Sequence, residues 1–245
     1  MAFDIPRGVV LPLDVVDVRL DPAPHPFEVA HRVAVAANWQ TEKAANPALY
    51  DGEMVLLSSL ALRGRRLVGV CHAVRYSTFL YWRRHRDVSA AEHAFAHAAL
   101  VTADGALLAI RMGAGTVNAG RVYFAAGSFE PIDFRDGQVD LEGNMAREVS
   151  EETGIDIAPL RHEAGYHALS QETGTVVFRR YVLPLAADEA ARRVAAFVAA
   201  EPEPEIAGPV VIRGADDLPE GIMPHMAEIV RWHFSEAGRF SLPAG

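Results

Sequence analysis

The sequence lacks most of the features that place a chain outside a reducing cell interior. It has one cysteine, Cys71, in 245 residues, so no disulfide bond can form within the chain. It has no apolar run of about eighteen residues, so no membrane partner is expected. Residues 1–4 show neither the basic nor the apolar region of a secretory signal. We therefore expect a cytoplasmic protein.

Basic residues are also fewer than acidic residues. The chain has 23 Lys and Arg against 32 Asp and Glu, a net charge of −9. Proteins that bind nucleic acid in general carry a basic surface, so no nucleic-acid partner is expected. A small phosphorylated ligand stays compatible with this balance, because a bound metal ion reverses the local charge. Hydrophobic residues make up 50% of the chain, which excludes global disorder.

Strand-like and helix-like patterns alternate along the chain, which predicts an α/β or α+β fold. Apolar and alternating runs predict strands at 9–20, 53–63, 66–82, 93–101, 106–111, 122–126 and 175–185. Capping signals and helical periodicity predict helices at 27–45, 140–152, 187–200 and 224–234. We predict loops at 113–120 and 128–138, and a rigid acidic connector at 201–205.

The most informative stretch runs from Arg147 to Ile155. On a helix, Glu148, Glu151 and Glu152 share one face, because side chains three and four residues apart are neighbours. Two unit charges about 4 Å apart interact by about 4 kcal/mol at an effective dielectric constant of about 20. A surface helix avoids such repulsion unless a cation offsets it. Oxygen ligands of this kind suit hard divalent ions, Mg²⁺ or Mn²⁺.

Two neighbouring patterns support this interpretation. Leu141, Met145 and Val149 recur every four residues and predict an apolar stripe that faces the core. Arg147 precedes Glu151 by one turn and is placed to orient its carboxylate.

The same stretch resembles the Nudix box, G-x5-E-x7-R-E-U-x-E-E-x-G-U, where U is aliphatic. The second half of the pattern is matched at every specified position, by Arg147, Glu148, Val149, Glu151, Glu152, Gly154 and Ile155. The first half departs from it. Gly127 lies 20 residues before Arg147 instead of 14, so about six residues are inserted. Val139 stands where the first Glu is expected, with Asp140 and Glu142 as the nearest acids.

The resemblance to the Nudix hydrolase superfamily implies a fold and a domain division. The expected fold is a Nudix-type α/β/α sandwich with a mixed sheet, preceded by a strand-rich extension. The extension, with strands and one helix, is predicted at 1–90 and the hydrolase domain at 91–245.

The resemblance also implies a reaction, the hydrolysis of a diphosphate linkage in a small phosphorylated substrate with Mg²⁺ or Mn²⁺. Glu148, Glu151 and Glu152 are then the expected metal ligands, and Glu151, Glu152 and Arg147 the expected catalytic residues. The general base stays open among the helix carboxylates and a loop acid. Further candidates for an outer ligand or base are Glu172, Glu203 and Glu205. Relatives of this kind are often dimers, so the resemblance suggests a homodimer.

Residues 46–52 and 75–79 resemble segments that precede the box in the UDP-sugar diphosphatase-like subgroup. This favours a nucleoside diphosphate derivative as substrate, a nucleotide sugar above all. Arg75 and Gly127 are accordingly the candidate substrate-binding residues.

Three alternatives stay open. The missing first Glu and the insertion suit a catalytically weak, nucleotide-binding module on the same fold. An isomerase on this fold is a second rival. His93 and His97 have the spacing of a helical metal pair, but the Asp104-Gly105 turn that follows favours a strand hairpin there.

Overall fold

The computed structural model describes residues 2–238 and is a mixed α/β structure with mixed sheets, which confirms the predicted fold class. Its helices are α1 (Pro26–Ala45), α2 (Tyr76–His85), α3 (Leu141–Thr153), α4 (Ala187–Ala200) and α5 (Pro224–His233). Its strands are β1 (Phe3–Asp4), β2 (Val10–Leu13), β3 (Val15–Asp21), β4 (Glu53–Arg63), β5 (Arg66–Arg75), β6 (Ala94–Val101), β7 (Leu107–Met112), β8 (Val122–Tyr123), β9 (Phe134–Arg135), β10 (Gln138–Val139), β11 (Arg161–His162), β12 (Tyr166–Gln171), β13 (Gly174–Val182) and β14 (Ile206–Ile212).

The chain forms two compact units, neither of them continuous in sequence. The first contains residues 2–95, 128–141 and 168–176, and the second contains 96–127, 142–167 and 177–238. The division predicted near residue 91 stays a prediction.

The first unit is built on a six-stranded sheet with the order β1-β4-β5-β3-β10-β9. The long hairpin β4–β5 is antiparallel, and Gly64 in its turn has a φ of +63°, which glycine adopts without strain. Strand β3 runs parallel to β5. Helices α1 and α2 enclose one core with the hairpin, formed by Phe27, Met54, Leu56, Val74, Phe79, Trp82 and Ala91.

The strand predicted at 66–82 is wrong beyond residue 75, where α2 begins. The Asp51 carboxylate accepts hydrogen bonds from the Ser77 N–H at 2.7 Å and the Ser77 hydroxyl at 3.2 Å. Asp51 therefore provides an acceptor for one backbone N–H and one hydroxyl group in the first turn of α2. The aromatic residues of this segment suit either strand or helix, and the contact with the distant Asp51 favours the helix.

The loop predicted at 128–138 is also wrong in part, because it contains secondary structure. A single 3-10 turn, Pro131–Asp133, precedes the β9–β10 hairpin. Gln138 of β10 pairs with Arg19 of β3, so the insertion extends the sheet of the first unit. Phe129 is buried, and its carbonyl accepts from the Val55 N–H at 3.1 Å. The inserted residues are therefore part of the first unit's packing.

In the second unit the strand order is β14-β7-β6, followed by the larger part of β13. Asp104-Gly105 connects β6 to β7 as predicted, with Gly105 at a φ of +81°. Strand β14 was not predicted, since Gly208 and Pro209 interrupt its apolar pattern. It pairs with β7 along its length, with a register shift between Ile206 and Gly208. Helix α3 buries Met145 and Val149, as its predicted apolar stripe requires.

His97 lies in β6, as the strand prediction requires, and is stacked on His225 with their Nε2 atoms 3.0 Å apart. Over residues 2–238, no helix combines the length and the apolar character needed to cross a bilayer.

Asp51 should be a determinant of α2 stability. The Asp51→Ala substitution removes both hydrogen bonds to Ser77 and should lower the free energy of unfolding by about 1 kcal/mol. Asp51→Asn keeps one acceptor oxygen and should retain most of the stability. Denaturant unfolding of the three proteins measures this. Equal stability of the Ala variant and the wild type would show that α2 forms without this cap.

Candidate functional site

The three motif carboxylates on helix α3 are buried to different extents. Glu152 is 7% exposed, the Glu148 side chain 13% and the Glu151 side chain 61%. The helix ends at Thr153, and Gly154 follows in the left-handed region with a φ of +69°. A Cβ at Gly154 would collide with the Phe197 ring of α4. Glycine at this position therefore allows the end of α3 to lie directly against α4.

The Glu152 carboxylate has an unusual environment. It accepts a hydrogen bond from the Ala126 N–H at 3.0 Å. Burial, together with the negative charges of Glu148, Glu205 and Glu151, nevertheless raises its pKa to about 8. A carboxyl group of this pKa holds a proton at neutral pH unless a cation replaces that proton.

Arg147 contacts the other two carboxylates of the motif. Its Nη1 lies 2.6 Å from Glu148 Oε1 and 3.4 Å from Glu151 Oε2. The predicted contact with Glu151 is therefore present, and the contact with Glu148 is shorter. Gly127 lies against the Glu148 carboxylate so closely that a Cβ there would overlap it. Only glycine at this position leaves the Glu148 carboxylate where it is.

A cleft of about 540 Å³ brings the α3 carboxylates together with a second acidic segment. Its lining residues are Glu148, Glu151, Glu152, Phe197, Val198, Glu201, Glu203, Pro204, Glu205 and Ile206. Six of these ten are glutamates, and none is a lysine or arginine. The segment 201–205, predicted to be a connector, is thus also a wall of the cleft. Sequence reasoning named Glu203 and Glu205 as candidates but missed Glu201 and Phe197. Three acids within five residues were the signal for Glu201.

Other predicted residues are not among those that line this cleft. Arg75 belongs to the first unit, where its guanidinium donates to the Asp51 carbonyl at 3.2 Å. Glu172 is an exposed residue of the same unit. The two acids nearest to the missing Glu both form ion pairs. Asp140 lies 2.6 Å from Arg135, and Glu142 lies 2.7 Å from Arg179. The roles predicted for Arg75 and Glu172 stay predictions.

The residues present suit a hard divalent cation by their chemistry. All polar side chains of the lining are carboxylates, the ligand type that Mg²⁺ and Mn²⁺ prefer. Burial raises the pKa of Glu152 most, and the negative charges of Glu148, Glu205 and Glu151, which a cation would offset, raise it further. Within residues 2–238, no three His, Cys, Asp or Glu side chains already form a metal-binding group. Cation binding would therefore require some of these carboxylates to turn.

Among known proteins, the chain matches solved structures, but it matches neither family models nor curated proteins. It is similar to a MutT protein from Methanosarcina mazei Go1 at 19% identity, over 58% of this chain and 91% of that one, with a TM-score of 0.37. It is also similar to a mutT/nudix family protein from Listeria innocua at 15% identity, over 58% and 91%, with a TM-score of 0.41. It is similar as well to a NUDIX hydrolase from Nitrosomonas europaea at 14% identity, over 58% of this chain and 70% of that one, with a TM-score of 0.37. Similarities of this strength establish no activity, which has to follow from the site.

The buried Glu152 should make the stability of the metal-free protein depend on pH. Its pKa is raised from 4.5 to about 8, so the folded state holds this proton more tightly than the unfolded state. The resulting destabilisation is absent below about pH 4.5 and grows as pH rises to about 8. Glu152→Gln keeps an acceptor for the Ala126 N–H and removes the charge. Its unfolding temperature should exceed that of the wild type by about 3 °C or more at about pH 9, and match it at about pH 4.

Glu228→Gln on α5 is the control, because that side chain is exposed and does not line the cleft. It should follow the wild type at both pH values. A Glu152→Gln protein that gains nothing at high pH would show that the Glu152 charge is not destabilising. Differential scanning calorimetry in buffer with a chelator measures all three proteins.

Proposed function

We propose that the chain is a Mg²⁺-dependent Nudix-type hydrolase that cleaves a diphosphate linkage in a nucleoside diphosphate derivative. The observation that carries the proposal is the cleft in which Glu148, Glu151 and Glu152 face a second acidic segment. These are the carboxylates that the motif resemblance predicts as metal ligands. A cleft lined with glutamates repels a bare diphosphate. A divalent cation bound there would allow a phosphorylated substrate to enter.

In this proposal, Glu148, Glu151 and Glu152 would hold the cation. When bound, it would polarise the phosphoryl oxygens and offset the charge that develops on them. Arg147 orients Glu148 and Glu151 through its guanidinium. The Ala126 N–H donates to the Glu152 carboxylate, which would release its proton to solvent if a cation were held beside it. A carboxylate of the cleft takes the proton from the attacking water, and the residue that does so stays open.

A nucleotide sugar is the favoured substrate. The two segments that resemble the UDP-sugar diphosphatase-like subgroup lie against each other in the first unit. The Tyr76 N–H donates to the Gly52 carbonyl at 2.9 Å, and Arg75 and Ser77 both contact Asp51. This local arrangement supports the relation between the two segments, and the resemblance of these segments gives Arg75 its proposed role in substrate binding. The homodimer suggested by the same resemblance stays part of the proposal.

A nucleotide-binding module with little catalysis is the second candidate. The observation that favours it is the pairing of Asp140 with Arg135 and of Glu142 with Arg179. Each of the two acids closest to the missing first Glu of the motif thus already has an arginine as its partner. Under this candidate the cleft binds the ligand with its cation, and turnover is very slow.

Phosphate release from nucleotide sugars, dinucleotides and nucleoside triphosphates with Mg²⁺ tests the proposal. The wild type should hydrolyse at least one class, and nucleotide sugars fastest. Glu151→Gln should lower kcat by about 10²-fold or more, because it removes a charged group from the cleft. Glu228→Gln, on the exposed face of α5, is the matched control and should retain wild-type activity.

If wild type and Glu151→Gln both show background hydrolysis with every substrate, the hydrolase proposal fails. In that case, a rise in unfolding temperature with a nucleotide and Mg²⁺ would favour the binding module.

A further inference from the structure

Glu205 enters the cleft from a segment that Gly113 holds in place. Gly113 follows β7, and its N–H donates to the Glu205 carbonyl at 2.8 Å. The next residue, Ile206, is buried and pairs with Met112. Glu205 and Ile206 are thus fixed to the end of β7 by two successive contacts. The sheet register therefore determines where the chain enters the cleft.

This contact requires glycine at position 113. A Cβ there would lie 2.8 Å from the Glu205 carbonyl oxygen and 3.4 Å from its carbon. It would also lie 3.6 Å from the Pro204 carbonyl oxygen. The obstructing atoms belong to the backbone, so they cannot move aside as the end of a flexible side chain does. An alanine at 113 must therefore push the segment 204–205 away from β7.

The displaced segment carries a carboxylate that acts on the α3 glutamates. Glu205 lines the same cleft as Glu148, Glu151 and Glu152. Its charge contributes to raising the pKa values of Glu152 and Tyr123, so it lies within electrostatic range of both. Asp140 and Glu142, the acids nearest to the position of the missing Glu, are both paired with arginines.

We propose that Gly113 is a positioning residue, which holds Glu205 in the cleft as a further oxygen ligand of the divalent cation. The inference rests on the proposed function, because it assumes that a cation binds at the α3 carboxylates. Glu205, contributed by a different element, then supplies a carboxylate that the altered first half of the motif lacks.

Mn²⁺ alone is the probe, and the free Mn²⁺ signal in electron paramagnetic resonance measures its Kd for the full chain without substrate. Groups that orient metal ligands typically affect metal affinity about 10-fold to 100-fold. We expect Gly113→Ala to weaken Mn²⁺ binding about 10-fold, and Glu205→Gln to weaken it by at least as much. The double variant should bind no more weakly than Glu205→Gln, because Gly113 acts through that carboxylate.

Gly115→Ala is the matched control. Gly115 lies two residues away in the same loop, and a Cβ there would meet no atom within 4 Å. Its Mn²⁺ affinity should equal that of the wild type. A Gly113→Ala protein with wild-type affinity would overturn the inference. The inference would also be overturned if the double variant bound Mn²⁺ more weakly than Glu205→Gln. Gly113 would then affect Mn²⁺ binding through the fold in general and not through Glu205.

Two further results separate the possible failures. If Gly113→Ala does not fold, Glu205→Asp replaces it, since it keeps the backbone contact and shortens the side chain. Wild-type affinity of Glu205→Asp and Glu205→Gln would overturn the inference. A wild type that retains no Mn²⁺ would defeat the metal-dependent function itself. A wild type that binds Mn²⁺ as tightly as Gly113→Ala would defeat only the role of Gly113.

Discussion

Six glutamates of the second unit line one cleft, and the structure has to offset the repulsion between their carboxylates. Two like unit charges about 4 Å apart repel each other by about 4 kcal/mol at an effective dielectric constant of about 20. Several acidic groups in one cleft, with Glu152 buried among them, therefore reduce the small net stability of a domain. The fold tolerates them through the Arg147 guanidinium, the Ala126 N–H and a proton on Glu152. A divalent cation would replace that proton and reduce the repulsion further.

Two glycines allow this concentration of charge by bringing backbones close together. Gly154 ends α3 and admits the Phe197 ring, so α4 lies beside the acidic face of α3. Gly113 admits the Glu205 carbonyl where the acidic segment enters β14. The segment 201–205 is thus held at both ends, by α4 and by the end of β7. The acidic side chains of this segment are exposed, and their backbone is fixed beside the cleft that the α3 glutamates line.

Much of the second unit could be predicted from local patterns. The apolar spacing of α3, the Asp104-Gly105 turn and the limits of α4 are properties of short stretches. The errors arose where distant residues decide the structure. The first turn of α2 is hydrogen-bonded to Asp51, 26 residues before Ser77, and β10 pairs with β3. Strand β14 contains Gly208 and Pro209, which weaken a strand pattern, and it depends on β7 as its partner.

By itself, the sequence determined that three carboxylates share a helix face, because helical spacing follows from the backbone alone. It also determined that the helix ends at a glycine and that the usual first Glu is absent. Only the tertiary structure decided that a second acidic segment faces that helix. It also decided that Asp140 and Glu142 pair with arginines and that Glu152 is buried enough to hold a proton. These features depend on contacts between elements far apart in the chain, and a local pattern contains no information about such distances.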